Sequence, residues 1–175
     1  MTKYIAFLRA INVGGHTVKM DHLSKLFEAP GFSNVETFIA SGNVIFETTA
    51  KNTAALEKKI AGHLEKSLGY GVDTFLRTVQ EVVEIAERIP FAAKHKEDSV
   101  YVAFLHETPS AAATSALMAL KNKANDFAIL EREVYWLRHN KDDSLFLKNP
   151  LEKVLKLSAT LRNMTTISKI AGKYR

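Results

Sequence analysis

The sequence contains no cysteine, which excludes disulfides and thiolate metal sites together. This suits a reducing compartment. Glycine (8) and proline (4) are sparse in 175 residues, so most of them punctuate breaks between elements. Long apolar runs are missing as well. Met1-Thr2-Lys3 leads into an apolar segment that Arg9 interrupts, well short of the roughly 20 residues a membrane helix needs and with no small-residue cleavage site. The segment reads as a strand, and the expected setting is cytoplasmic with no membrane partner. The rest is ordinary globular composition, 46% hydrophobic and 25% charged. The length allows one large domain or two small ones packed together, with a core that needs no staples.

The net charge of +5 is unevenly placed. Acids balance Lys and Arg over residues 1–90, so the whole excess lies in 91–175. Its densest part is Ser144–Arg175, where Lys148, Lys153, Lys156, Arg162, Lys169, Lys173 and Arg175 face a single acid, Glu152. A basic segment of this kind fits an anionic partner such as nucleic acid, and fits equally a solvated, Lys-rich pair of helices.

Hydrophobic spacing gives the elements. Tyr4–Ile11 is apolar on both faces, as a central strand is, and Asn12-Val13-Gly14-Gly15-His16 turns the chain. Met20, Leu23, Leu26 and Phe27 recur at helical spacing until Pro30-Gly31. Val35–Ala40 alternates with Glu36 outward, Ser41-Gly42-Asn43 turns, and Val44-Ile45-Phe46 resumes as a two-faced strand. Leu56, Ile60, Leu64 and Leu68 mark a helix closed by Gly69, and Val72–Arg77 alternates again. Strand, helix, strand, strand, helix, strand is the ferredoxin-like βαββαβ order. Two-faced first and third strands with alternating second and fourth strands agree with the central and edge positions of that topology.

Thr78-Val79-Gln80-Glu81 is a capping box for a helix that Pro90 ends. The polar stretch Ala92–Asp98 marks a boundary between residues 1–90 and 91–175. Beyond it, Ser99–His106 is a two-faced strand, and Thr108-Pro109 opens an alanine-rich helix with Pro at its first position. Phe127–Leu130 and Val134–Leu137 flank a turn at Glu131-Arg132, and Asn149-Pro150-Leu151-Glu152 is a second capping box. A short helix over Thr166–Tyr174 closes the chain. The expected class is therefore α+β: a ferredoxin-like N-terminal half and a second, similar α+β half. No residue-level repeat is evident between them.

In the split βαβ topology the exit of the first strand and the hairpin between the second and third strands share one end of the sheet. Arg9, Asn12, Gly14 and Gly15 should therefore lie beside Ser41, Gly42 and Asn43. Glycine-turn N–H groups with an adjacent guanidinium can cradle an anion, although both turns also need glycine for backbone freedom alone. No dinucleotide or P-loop fingerprint is present. Arg162, Asn163 and Thr165 precede the last helix, with Thr165 or Thr166 as its N-cap and Lys169 one turn further in. A helix N-terminus so furnished suits a phosphate or carboxylate, and suits equally a plain cap.

Arg9-Ala10-Ile11-Asn12-Val13-Gly14-Gly15, Val18-Lys19-Met20, Ser41-Gly42-Asn43-Val44 and Thr160-Leu161-Arg162-Asn163 together resemble the recurring motifs of a bacterial family catalogued as domain of unknown function 1697. The resemblance spans nearly the whole chain. It implies a two-part α+β fold with ferredoxin-like halves and no particular activity. The family's last motif usually has Trp after Arg-Asn, where this chain has Met164.

Other chemistries find little support. The six histidines (His16, His22, His63, His95, His106, His139) include no i, i+4 pair or HExxH, so neither a metal nor a cofactor is expected. His16 reads as a general base or as a variable loop residue. Ser41 lacks a nucleophile elbow, and Asp142-Asp143 reads as a solvated loop. RNA-binding domains share the βαββαβ order, but the third strand here, Asn43–Glu47, offers one aromatic and an acid instead of their stacking platform. Tyr135 and Trp136 read as packing residues. Three functions remain open: binding of a small anionic ligand at the strand-end loops, enzymatic or not; nucleic-acid binding through Ser144–Arg175; and interaction or self-association through an open sheet edge.

Overall fold

Two four-stranded antiparallel sheets organise the chain, seen in a computed structural model that describes residues 1–12, 14–39, 42–92, 95–139, 146 and 150–175. The first holds β1 (Thr2–Leu8), β2 (Ser33–Thr37), β3 (Asn43–Thr48) and β4 (Thr74–Thr78) in the order β2-β3-β1-β4, with α1 (Met20–Glu28) and α2 (Thr53–Leu68) as connections. That order, with β1 and β3 central, is ferredoxin-like. After α3 (Val79–Glu87) the second sheet repeats it as β6-β7-β5-β8, from β5 (Ser99–Phe104), α4 (Ala111–Met118), β6 (Asn125–Leu130), β7 (Glu133–Arg138), α5 (Leu151–Leu155) and β8 (Thr160–Asn163). The final helix is α6 (Met164–Tyr174). Two compact units result, Met1–Glu84 with Ile170–Arg175, and Ile85–Lys169.

In the first unit Leu23, Leu26 and Phe27 of α1 and Leu56, Ile60 and Leu64 of α2 pack on Tyr4, Ala6, Leu8, Val44 and Phe46. Burying each Leu, Ile, Val or Phe among these contributes roughly 1.5–3 kcal/mol. Ile5, Phe7, Ile45 and Phe75, on the opposite face, are buried as fully, which is why β1 and β3 are apolar on both faces. Edge strand β2 alternates as its sequence suggests; β4 does not, for Thr74, Phe75, Leu76 and Arg77 are all buried. The α2 carboxylate of Glu57 accepts the Leu76 N–H at 2.9 Å, closing part of that edge.

Local capping sets most helix limits. Asn52 accepts the Ala55 N–H at 3.0 Å to open α2, and Gly69, in the left-handed region at φ 81°, closes it. Thr78 and Glu81 form the complete capping box: Glu81 Oε2 accepts the Thr78 N–H at 2.7 Å, and Thr78 Oγ1 accepts the Glu81 N–H at 3.2 Å. Two starts differ from the sequence reading. α4 starts at Ala111 and not at Pro109, because Ser110 caps it with a hydroxyl that accepts the Ala113 N–H at 3.1 Å. Thr160–Asn163 forms an edge strand, and α6 starts two residues before Thr166, capped not by Thr165 or Thr166 but by Asn163, whose Oδ1 accepts the Thr165 N–H at 2.8 Å. Asn149 lies outside the described residues; its box partner Glu152 accepts the Ala159 N–H at 2.8 Å.

Register exposes a residue-level repeat that reading the chain end to end overlooks. Tyr4-Ile5-Ala6-Phe7-Leu8 corresponds to Tyr101-Val102-Ala103-Phe104-Leu105. Tyr4 is paired with Phe46 and Tyr101 with Trp136, an aromatic cross-strand pair in each sheet. Leu76-Arg77-Thr78 on β4 corresponds to Leu161-Arg162-Asn163 on β8; Ile5 faces Arg77 as Val102 faces Arg162. The helices that follow align too, with Val82, Ile85 and Ala86 matching Ile167, Ile170 and Ala171. The two halves are thus versions of one unit whose loops have diverged.

Candidate functional site

The rim of the first sheet is built as its topology requires. β1 pairs with β3 so that Phe7 faces Asn43, and the Leu8 N–H donates to the Gly42 carbonyl at 2.9 Å. Gly42 and Asn43 therefore lie beside the end of β1, next to which Arg9 follows in the chain, while Asn12, Gly14 and Gly15 belong to the loop beyond it; Ser41 lies outside the described residues. Gly42 has φ 77°, and a Cβ there would come 2.7 Å from Ile11 Cγ2, so the rim closes only with glycine. Asn43 is fully buried and holds the hairpin: its Nδ2 donates to the Phe38 carbonyl at 3.0 Å and its own carbonyl accepts the Phe38 N–H at 2.9 Å. Asn12 braces the next loop by accepting the Val18 N–H at 2.7 Å. Arg9 is exposed, with its N–H on the Asp73 carbonyl at 2.9 Å.

Two non-glycine residues near this rim, Ala10 (φ 58°) and Ile39 (56°), occupy the left-handed region, as do Gly14 (64°), Gly15 (82°) and Gly42 (77°), where glycine adopts it without strain. For a β-branched residue such as Ile39 that conformation is a true outlier, and its side chain is nonetheless half exposed. Strain of this kind, of order 1–3 kcal/mol per residue, persists where surrounding structure enforces it and clusters at functional sites.

The chain from Gly15 onward borders a cleft of about 440 Å³ whose lining includes His16, Lys19, His22 and Tyr70. Tyr70 donates its hydroxyl to the Ile11 carbonyl at 3.1 Å and stacks on the His16 ring with centroids 3.8 Å apart. Among the described residues no acid lines this cleft, so its field favours an anion.

The remaining expected residues belong to the second unit. Arg162 is buried, folded back on its own strand with Nη1 donating to Thr160 Oγ1 and the Leu161 carbonyl, both at 2.8 Å. Burial pushes its guanidinium down to about 10. Asn163 is the α6 cap. Asn163 and Thr165 line a cleft of about 470 Å³ together with Ser168, Lys169 and Asp98. Among the described residues no group of three or more His, Asp or Glu is arranged to hold a metal ion.

Sequence reading missed one arrangement, the contact of Asp98 Oδ1 with His139 Nδ1 at 2.9 Å. Forty-one residues separate the two, and only the β5–β7 pairing unites them. Tyr135 and Trp136 are core residues as expected: Tyr135 donates to the Ile85 carbonyl at 3.2 Å and Trp136 Nε1 to Asn125 Oδ1 at 2.7 Å.

Fold and loops together define a duplicated ferredoxin-like α+β protein with clefts at its strand and helix ends. No helix among the described residues is long and apolar enough to cross a membrane. The chain belongs to the family described as Protein of unknown function (DUF1697), whose sequence profile matches residues 1–135. In structure it is similar to the conserved bacterial protein SP0830 from Streptococcus pneumoniae, at 20% identity and a TM-score of 0.80 over 99% of this chain and 98% of that one. That likeness establishes the fold. No curated protein matches the chain.

Proposed function

We propose that the protein binds a small molecule bearing a phosphate or carboxylate at the loop that follows β1. One observation carries this reading: the Gly14–Gly15 turn leads into a cleft whose lining includes His16, Lys19 and His22 and, among the described residues, no acid. An added Cβ at Gly14 or Gly15 would meet nothing within 4 Å, so the glycines serve their left-handed backbone and leave open space beside it. Bound there, an anion would meet turn N–H groups, the Lys19 ammonium and two imidazoles. The half-exposed, strained Ile39 and the glycine-closed rim support the same end of the sheet as the functional one. The second half has no counterpart, since the chain after β5 runs Leu105-His106-Glu107-Thr108-Pro109 without glycine.

Titration of ¹⁵N-labelled protein with inorganic phosphate, pyrophosphate, citrate and a nucleoside monophosphate tests this. Saturable shifts at Gly14, Gly15 and Lys19 are expected for at least one of them, weakened about tenfold in Lys19→Ala, which corresponds to about 1.4 kcal/mol. Saturation confined to other loops, or none with any probe, rejects the reading.

A further inference from the structure

The second unit carries a carboxylate–imidazole pair at a sheet end lined by further polar groups. Asp98 immediately precedes β5 and His139 immediately follows β7; their neighbours Ser99 and Arg138 are paired across the sheet, so the two side chains meet. Besides touching His139 Nδ1 at 2.9 Å, Asp98 accepts the His95 backbone N–H on Oδ2 at 2.7 Å. The His139 backbone is held in turn, its N–H donating to the Ala124 carbonyl at 2.7 Å. The Asp98 side chain is 1% exposed and that of His139 33%. Burial of the Asp98 carboxyl acts to raise its proton affinity, but hydrogen bonds from the His95 N–H and the His139 ring outweigh it and hold the carboxyl below its ordinary value. An ionised carboxylate only accepts, so Nδ1 carries a proton toward it and Nε2 is left as the ring nitrogen that can take or give one. The ring borders a cleft of about 380 Å³ lined also by His95, Glu97 and Lys123, with the two imidazole centroids 6.3 Å apart.

The internal repeat supplies a control. Aligning Tyr4 with Tyr101 sets Met1 at the position of Asp98, and aligning Phe46 with Trp136 sets Thr49 at that of His139. The first sheet closes without the pair, so the fold does not require it. Arg77 and Arg162, which recur in both halves, show what a structural requirement looks like.

We propose that His139, oriented by Asp98, is a general acid–base group acting on a small phosphate- or carboxylate-bearing substrate that Lys123 holds in this cleft. Asp98 is the positioning residue: it fixes the tautomer and ring plane and stabilises the imidazolium once Nε2 has taken a proton. The site is independent of the loop cleft of the first unit, and either can fail alone.

The test is site-resolved acylation of the full chain by diethyl pyrocarbonate, read by mass spectrometry at each histidine. Nε2 attacks a carbonyl carbon, the bond to the ethyl carbonate leaving group breaks, and the Nδ1 proton is lost. His139 should react several-fold faster than N-acetylhistidine, and Asp98→Asn should bring it to or below that reference without changing His22 or His106. Phosphate or acetate, added separately, should protect His139 and identify the preferred acid, and Lys123→Ala should abolish the protection. Reaction no faster than the reference, or no protection by either acid, overturns the proposal. If Asp98→Asn does not fold, ¹⁵N imidazole spectra of the unaltered protein decide: an Nδ1–H tautomer supports the pair, an Nε2–H tautomer overturns it.

Discussion

Arg77 and Arg162 make the same hydrogen bond: each donates from Nη1 to the carbonyl of the leucine before it, at 2.8 Å. Each lies buried on the fourth strand of its unit, opposite an aliphatic residue of the first strand. A feature repeated in both halves marks the demands of the fold, so Arg162 has a structural duty whatever else it does. Arg77→Ala and Arg162→Ala should therefore both destabilise, each by more than about 2 kcal/mol, because buried carbonyls lose a charged donor and a cavity forms. Leu161→Ala, at a partly exposed position, should cost less than about 1 kcal/mol. Urea unfolding measures all three; an Arg162→Ala variant as stable as the parent would show that the repeated bond contributes nothing.

Asn163 caps α6. Asn163→Asp and Asn163→Ser keep a side-chain oxygen for the Thr165 N–H and should leave stability nearly unchanged, whereas Asn163→Ala should lose about 1 kcal/mol, as Thr78→Ala should at the equivalent start of α3. Thermal unfolding of the four variants separates a cap from a ligand contact, which serine would not replace.

Lys173, near the end of α6, pairs with Glu36 on β2 and sits 5.5 Å from the Phe38 ring centroid. The Lys173 hydrogen bond holds the Glu36 carboxyl below its ordinary 4.5 despite the opposing effect of burial, and Glu36 in turn raises the Lys173 ammonium above 10.5. The signs follow from linkage. The depressed carboxylate contributes stability above pH 4.5 that disappears as pH falls through its folded value; the raised ammonium contributes below 10.5 and fades as pH rises past its folded value. Lys173→Met should then be less stable than the parent at pH 7, with a gap that shrinks as pH falls below 4.5 and that salt narrows at pH 7. An undiminished gap at low pH would assign the loss to packing on Phe38 and Tyr174.

Much of the fold was legible because periodicity reports burial directly. The two-faced strands at Tyr4 and Val44, the helix over Leu56–Leu68 and the Thr78–Glu81 box all follow from spacing and side-chain chemistry within a few residues. β8 was hidden because Thr160–Asn163 is four residues long and lacks a long apolar run; its pairing with Tyr101–Phe104 identifies it as a strand. The repeat was hidden because Tyr-Ile-Ala-Phe-Leu and Tyr-Val-Ala-Phe-Leu lie almost a hundred residues apart and stand out only when the two sheets are aligned by register.

The site divides in the same way. The sequence by itself determined that the Gly42 turn lies beside the end of the first strand, since strand order and direction follow from the pattern of elements. Only tertiary structure decided what each polar side chain does there: Asn43 ties its hairpin, Arg162 folds onto its own strand, Asn163 caps a helix, and Asp98 meets His139. Periodicity encodes which face of an element is buried, a property of neighbours in the chain. The Asp98–His139 contact joins residues distant in sequence that only the folded sheet brings within three ångströms; the partners of Asn43, Arg162 and Asn163 are near neighbours, but which one each side chain takes is set by the burial and backbone conformation the folded sheet imposes.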